Sequence, residues 1–413
     1  MRGGPPATVL AGRLAMFSAM RYPNYRLYWF GQFPSVLAWN MQHVAMAWLV
    51  FHLTNSPAML GISGLAQTVP NIAISMVAGA MADRWDRKRL LIITQSSTAL
   101  IYLALGVLAS AEAAHVGIVL VLAFTLGCVR AFDSPSRQAL LPMIVPREVI
   151  PTAVPLGDLI WQGSRLVGPA TAGLLIALVG IGHTFYVGCA GFLVAAVMFS
   201  RIKMNDADAK RATAGLWRNV LDGMGFIRSN ELISALIWLT YFNSVFGMAY
   251  VVMLPVFARD ILHVGPMGFG FLETAGGLGS IAGSFFIAAV AQARWKGQRI
   301  ILGAAVFGLL IVAFAASTSY LLSLGILFLM GLANQMYMTT INTTLQLNLP
   351  NEFRGRVMGV WGLGWSLTPL GGTFAGAIAE VASVPIALAI GGILVALMAL
   401  LLGALAPRVR HLE

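Results

Sequence analysis

Long apolar runs, broken by short polar and mostly basic interruptions, set the pattern of this chain. A helix needs about 20 apolar residues to cross the hydrocarbon core of a bilayer. On that rule the runs place spans near 27–52, 59–82, 90–111, 116–137, 149–178 and 184–201, and again near 232–258, 266–293, 298–317, 320–348, 354–380 and 384–406. Between the two sets lies the one long polar stretch, 202–231, which holds Asp206, Asp208, Lys210, Arg211, Arg218 and Arg228. Its second part, Leu216 to Arg228, reads as an amphipathic helix lying on the membrane surface. The expected architecture is therefore all-α, with twelve membrane helices in two six-helix bundles, residues 1–201 and 232–413, joined by a linker at 202–231.

Composition agrees and charge orients the chain. Hydrophobic residues make up 58% and charged residues only 10%, against roughly 25% charged in a soluble domain. A net charge of +11 would suit a nucleic-acid partner, but the cations sit in the breaks between apolar runs and not on a basic face, which argues against one. With both termini on one side of the membrane, all Lys and Arg except Arg130, Arg165 and Arg259 fall on that same side. Positive charge near span ends stays cytoplasmic, so the expectation is a multi-pass membrane protein with both termini inside. The first apolar run is too long for a signal-peptide core and reads as the first span. Cys128 and Cys189 both lie within apolar runs, which argues against a disulfide framework or a cysteine zinc site. No phosphate-cradling GxxxxGK(S/T) loop and no metal-type cluster is present, so no cofactor, metal or enzymatic activity is expected.

The two halves echo each other. DRWDRKRLLI, Asp83 to Ile92, matches ARWKGQRIIL, Ala293 to Leu302, each after the second span of its half. Pro146-Arg147-Glu148 after span four is echoed by Pro350-Asn351-Glu352 after span ten. Parallel repeats of this kind build a central substrate path between two bundles.

The segment GAMADRWDRKRLL, Gly79 to Leu91, resembles the major facilitator superfamily, whose loop between spans two and three reads G-x-x-x-D-R-x-G-R-(R/K). Gly79, Asp83, Arg84, Arg87 and Lys88 match, and Asp86 stands where the pattern has glycine. Span five carries Ser164, Gly168, Pro169, Ala172 and Gly173 in the places of a second pattern, G-x-x-x-G-P-x-x-G-G, that the superfamily associates with antiporters. The pieces Arg130–Glu148 and Pro350–Leu363 resemble a bacterial subgroup that includes enterobactin exporters and macrolide-efflux proteins. The resemblance implies that Asp83, Arg84 and Arg87 of the loop, with Arg130 and Asp133 of span four, form a charge network that closes the cytoplasmic side in one state. Asp83 is also placed to cap the helix that starts near Arg354, where free N–H groups and the helix dipole favour an anion.

Within the spans, Gly163, Gly168 and Gly173 are expected to let another helix approach closely, and Pro169 to bend span five. Ionisable groups at membrane depth cost about 3 kcal/mol or more and are functional candidates by default. Asp158, Gln162 and Arg165 share one face of span five, Asp158 as a titrating group and Arg165 as its counter-charge or a contact for an anionic substrate. Glu273 has no basic neighbour in sequence and reads either as a proton carrier or as a group facing a wet vestibule. His43 reads either as a pH switch or as a hydrogen-bonded core residue. Asn40, Gln42, Gln67, Asn71, Asn243, Asn334 and Gln335, with Trp39, Trp161, Tyr241, Phe242 and Tyr337, would suit a wide amphiphilic cavity. The expectation is a monomeric, proton-coupled exporter of an amphiphilic small molecule. The alternatives are an importer or uniporter of a small solute, a lipid flippase, or a non-transporting membrane scaffold.

Overall fold

The computed structural model describes residues 18–82, 85–204, 224–289, 295–405 and 410. Among them no strand occurs, and twelve helical segments follow one another. The first half contains α1 (Pro23–Thr54), α2 (Pro57–Ala82), α3 (Arg87–Ser110), α4 (Val116–Ile144), α5 (Ile150–Val179) and α6 (Ile181–Ser200). The second contains α7 (Glu231–Ile261), α8 (Gly265–Ala289), α9 (Lys296–Ala315), α10 (Tyr320–Asn348), α11 and α12 (Val384–Leu405). Two of these helices are interrupted where the sequence reads as continuous. α7 carries π turns at Asn243–Gly247 and Phe257–Ile261. α11 consists of Asn351–Leu363 and Thr368–Val381 about a 3-10 turn, Gly364–Leu367.

Helices are the outcome that lipid imposes, because every backbone N–H and C=O must find its partner inside the segment. Local chemistry sets the ends. Asp86 caps α3 by accepting from the backbone N–H groups of Lys88 at 2.9 Å and Arg89 at 3.1 Å, which gives this departure from the family pattern a structural role. His115 caps α4 and Asn230 caps α7 through their side chains. Between α5 and α6 the chain reverses at Gly180, whose φ of 90° a side chain would strain. Among the described residues, eight segments are long and apolar enough to cross a membrane on length and composition alone. The others are α1, α2, α5 and α11, and polar residues of these helices line the interior described below together with residues of α3, α4, α8 and α10.

In the first half α6 packs on α1 and α3, α5 on α1, and α2 on α4; in the second, α10 packs on α8 and α9, and α12 on α9. The two bundles meet along two seams, α2 on α11 and α5 on α8. Both seams rely on close backbone approach, which drives helix association in lipid where no hydrophobic effect operates. A Cβ added to Gly61 would sit 2.2 Å from the Thr373 nitrogen, and one on Gly173 2.5 Å from the Pro266 oxygen. Gly168 makes an equally tight contact with Asn40 of α1. Gly163 departs from the expectation, because a Cβ there meets nothing within 4 Å; its place on α5 is exposed, so it makes no tight seam.

The connections sort into two ends. At the end holding the basic breaks, the Asn24 amide donates to the Lys203 carbonyl and the Tyr25 hydroxyl to the Ala153 carbonyl. At the far end, Arg259 of α7 lies 3.9 Å over the Phe51 ring of α1, and the Ser56 hydroxyl donates to Glu380. The described contacts between the halves cluster toward this far end, where Gly376 also packs on Ala58. The expected surface helix begins among residues outside the described set; of that stretch, 224–229 are helical. Asp83 and Arg84 also lie outside the described residues.

Candidate functional site

Three cavities follow one another through the middle of the molecule. The first, of about 570 Å³, is walled entirely by the first half, with Tyr28, Gln95, Asp133, Arg137, Asp158 and Trp161 among its lining. The second, of about 360 Å³, lies between the halves, with Gln42, His43, Gln67 and Asn71 facing Val251, Trp365 and Ser366. Trp39 and Arg130 line both of these cavities. The third, of about 250 Å³, also lies between the halves, with Asn40, His43 and Arg165 facing Glu273, Ser280 and Asn334. His43 is shared by the second and third.

Asp133 and Arg137 anchor the first cavity. One helical turn apart on α4, they meet with Arg137 Nε 2.7 Å from Asp133 Oδ2. The other carboxylate oxygen accepts from the Gln95 amide at 2.5 Å and the Thr94 hydroxyl at 3.2 Å. Arg137 also donates to the Ser35 hydroxyl at 3.2 Å, while its Nη1 is buried without a hydrogen-bond partner. Asp133 is therefore tied to Arg137 and not to Arg130, which instead lays its guanidinium 3.3 Å from the Trp39 ring centroid. Arg87, at the start of α3, directs Nη1 at the Met143 sulfur, 3.1 Å away.

At the junction of the second and third cavities, His43 Nδ1 stands 3.6 Å from Glu273 Oε1. That separation is too long for a hydrogen bond, and the contact is ionic when His43 is protonated; Glu273 Oε1 is buried and has no hydrogen-bond partner. His43 comes from α1 and Glu273 from α8, so the contact joins the halves. The core reading of His43 is corrected here: 56% of its side chain is open to the cavities, against 11% for Glu273. Glu273 likewise has a basic neighbour after all, supplied by the other bundle.

The remaining expected residues divide. Asn40, Gln42, Gln67, Asn71, Arg165 and Asn334 line the inter-half cavities. Asn243 opens the first π turn of α7 and donates to Asn334 at 3.5 Å from a fully buried position. Gln335 gives its amide to Thr339 at 3.1 Å and lines none of the three, nor does exposed Gln162. Asp158 and Arg165 occupy different cavities, because seven residues of helix separate them by two turns. Tyr337 is fully buried and Tyr241 bonds the Val360 carbonyl, so both serve the packing of the second half. Sequence reasoning missed Trp365 and Ser366; their signal was the Gly362, Gly364 and Pro369 cluster that breaks α11.

Residues 14–412 match the model of a family described as transmembrane secretion effectors, one of the major facilitator families. The chain belongs to the major facilitator superfamily. It is 26% identical over 349 residues to a staphyloferrin A transporter of Staphylococcus aureus, covering 82% of this chain and 85% of the relative. It is 25% identical over 387 residues to the multidrug efflux pump Tap of Mycolicibacterium fortuitum, covering 90% and 92%. A macrolide efflux protein and an enterobactin exporter are similar as well, as the motifs implied. The crystal structure of the nucleoside transporter NupG superposes with a TM-score of 0.73 at 12% identity, covering 93% of this chain and all of that one; at this identity the likeness concerns the fold alone. The chain is thus a multi-pass membrane transporter of small molecules, and its efflux relatives span several substrate chemistries.

Proposed function

We propose that this protein exports an amphiphilic small molecule from the bacterial cytoplasm in exchange for protons, by alternating access. The observation that carries the reading is the His43–Glu273 contact, 3.6 Å across the halves where two inter-half cavities join. A proton taken up by Glu273 removes the negative charge that holds the two bundles together at this point, and so couples proton entry to their rocking. Asp158, in the cavity nearer the basic end, is a second place for a proton on the inward path. Aromatic rings beside amides in the lining support a bulky, partly apolar substrate, and the names of the efflux relatives support outward direction. The basic breaks support a cytoplasmic assignment of that end and of both termini. The working unit in this reading is a monomer, since the two halves of one chain supply both sides of the inter-half cavities.

In this conformation the packed end is the far one. Asp83, Arg84 and Arg87, with Arg130 and Asp133, are the groups we assign to closing the basic end in the opposite state.

The test is accumulation of a compound panel in cells with and without the protein. Export lowers accumulation of at least one amphiphile several-fold, a protonophore abolishes the difference, and Glu273→Gln loses the response to the proton gradient while staying folded. Raised accumulation would instead mean import, and a flux indifferent to the protonophore would overturn proton coupling.

A further inference from the structure

The inter-half cavities contain more cationic than anionic chemistry left to spend. Arg130 uses the flat face of its guanidinium on Trp39, which leaves the N–H donors on its rim. The acid one turn along the same helix, Asp133, is engaged by Arg137, Gln95 and Thr94. Arg165 enters the third cavity beside Asn40 and Asn334. The carboxylate in that cavity, Glu273, faces His43. Neither Arg130 nor Arg165 has a described hydrogen bond or ion pair to protein, although each stands at membrane depth, where an uncompensated charge is costly. Further toward the basic end, Arg137 Nη1 is also buried without a hydrogen-bond partner. Arginine rims are suited to planar, two-oxygen anions, and the Trp39 ring beside one of them suits an aromatic or otherwise flat body.

We infer that the inter-half cavities select an organic anion: a flat amphiphile carrying a carboxylate or comparable acidic group, with Arg130 as its anchor in the second cavity and Arg165 in the third. This deepens the export reading and rests on it. A cationic drug would have to approach both guanidinium groups, while the carboxylate lining the inter-half cavities, Glu273, is 11% exposed beside His43 and Asp158 lies in the first cavity. Like charge at these positions works against the cation as strongly as it favours the anion.

Three probes that differ only in charge make the test: 2-naphthoate, 2-naphthylmethylammonium and neutral 2-naphthylmethanol, titrated calorimetrically into the purified full chain. The naphthoate is expected to bind at least tenfold more tightly than the other two. Arg130→Gln and Arg165→Gln are each expected to weaken it about tenfold or more, with the neutral probe unchanged. Arg130→Lys and Arg165→Lys, which keep the charge but not the planar fork, are expected to fall between. Equal or tighter binding of the cation by wild-type protein overturns the inference, as does naphthoate affinity indifferent to both Gln variants. Should a Gln variant misfold, its Lys counterpart and the three wild-type titrations still decide. Export of neutral or cationic compounds by cells, with no preference for naphthoate in vitro, would sink the anion inference and leave the export reading standing. Naphthoate binding without any flux would do the reverse.

Discussion

Arg137 and Arg259 show how depth decides the worth of an ion pair. Arg137 and Asp133 leave only 9% and 23% of their side chains exposed. Removing one partner leaves the other charge buried, so Asp133→Asn is expected to cost about 3 kcal/mol. Arg259 and Asp260 are paired at the same 2.7 Å, but with 29% and 46% exposed, and Asp260→Asn is expected to cost under about 1 kcal/mol. Denaturant or thermal unfolding of the two variants in one detergent checks the contrast; equal losses would refute it. Spacing on α4 put both Arg130 and Arg137 within one helical turn of Asp133, and the structure gives Asp133 to Arg137. The His43–Glu273 contact was not readable from spacing, because its members stand on different bundles and no periodicity links them.

The helices join into seams through glycine. Gly61 of α2 and Gly173 of α5 each leave no room for a side chain against the opposite bundle. Gly61→Leu must push α11 away by more than its own packing tolerates, and so is expected to disfavour the conformation packed at the far end. A pair of substitutions, Ser56→Cys and Glu380→Cys, in a background lacking Cys128 and Cys189 and bridged by a short bifunctional methanethiosulfonate, reports on that packing, since the Ser56 hydroxyl reaches the end of the longer Glu380 side chain. Cross-linking is expected to be efficient with Gly61 in place and reduced several-fold with Gly61→Leu. Unchanged cross-linking would show that the seam does not depend on this glycine. Glycine spacing in span five announced such a contact, yet it did not tell Gly173, at the seam, from Gly163, which meets nothing. Only the rotation of α5 against its neighbours separates them. The π turns in α7 were likewise hidden, because they keep an apolar run apolar, whereas the break in α11 had its signal in Gly362, Gly364 and Pro369.

For the whole molecule, alternating access requires the far end to open. Locking it with the cross-linked Ser56→Cys and Glu380→Cys pair is therefore expected to stop export, and reductant, which releases the linker's disulfides, to restore it; flux through the cross-linked protein would contradict a rocking mechanism. The sequence by itself determined that the chain is a helical multi-pass membrane protein, and it carried the superfamily motifs. Those features are local or periodic: lipid demands apolar runs of one length, and topology follows the charges between them. What only the tertiary structure decided is which polar residues meet. Asp133 chose Arg137, Arg130 chose Trp39, His43 met Glu273, and Asp158 parted from Arg165. The reason is geometric, since helices in lipid are placed by close packing of small residues, and that packing sets which face of each helix turns toward the centre.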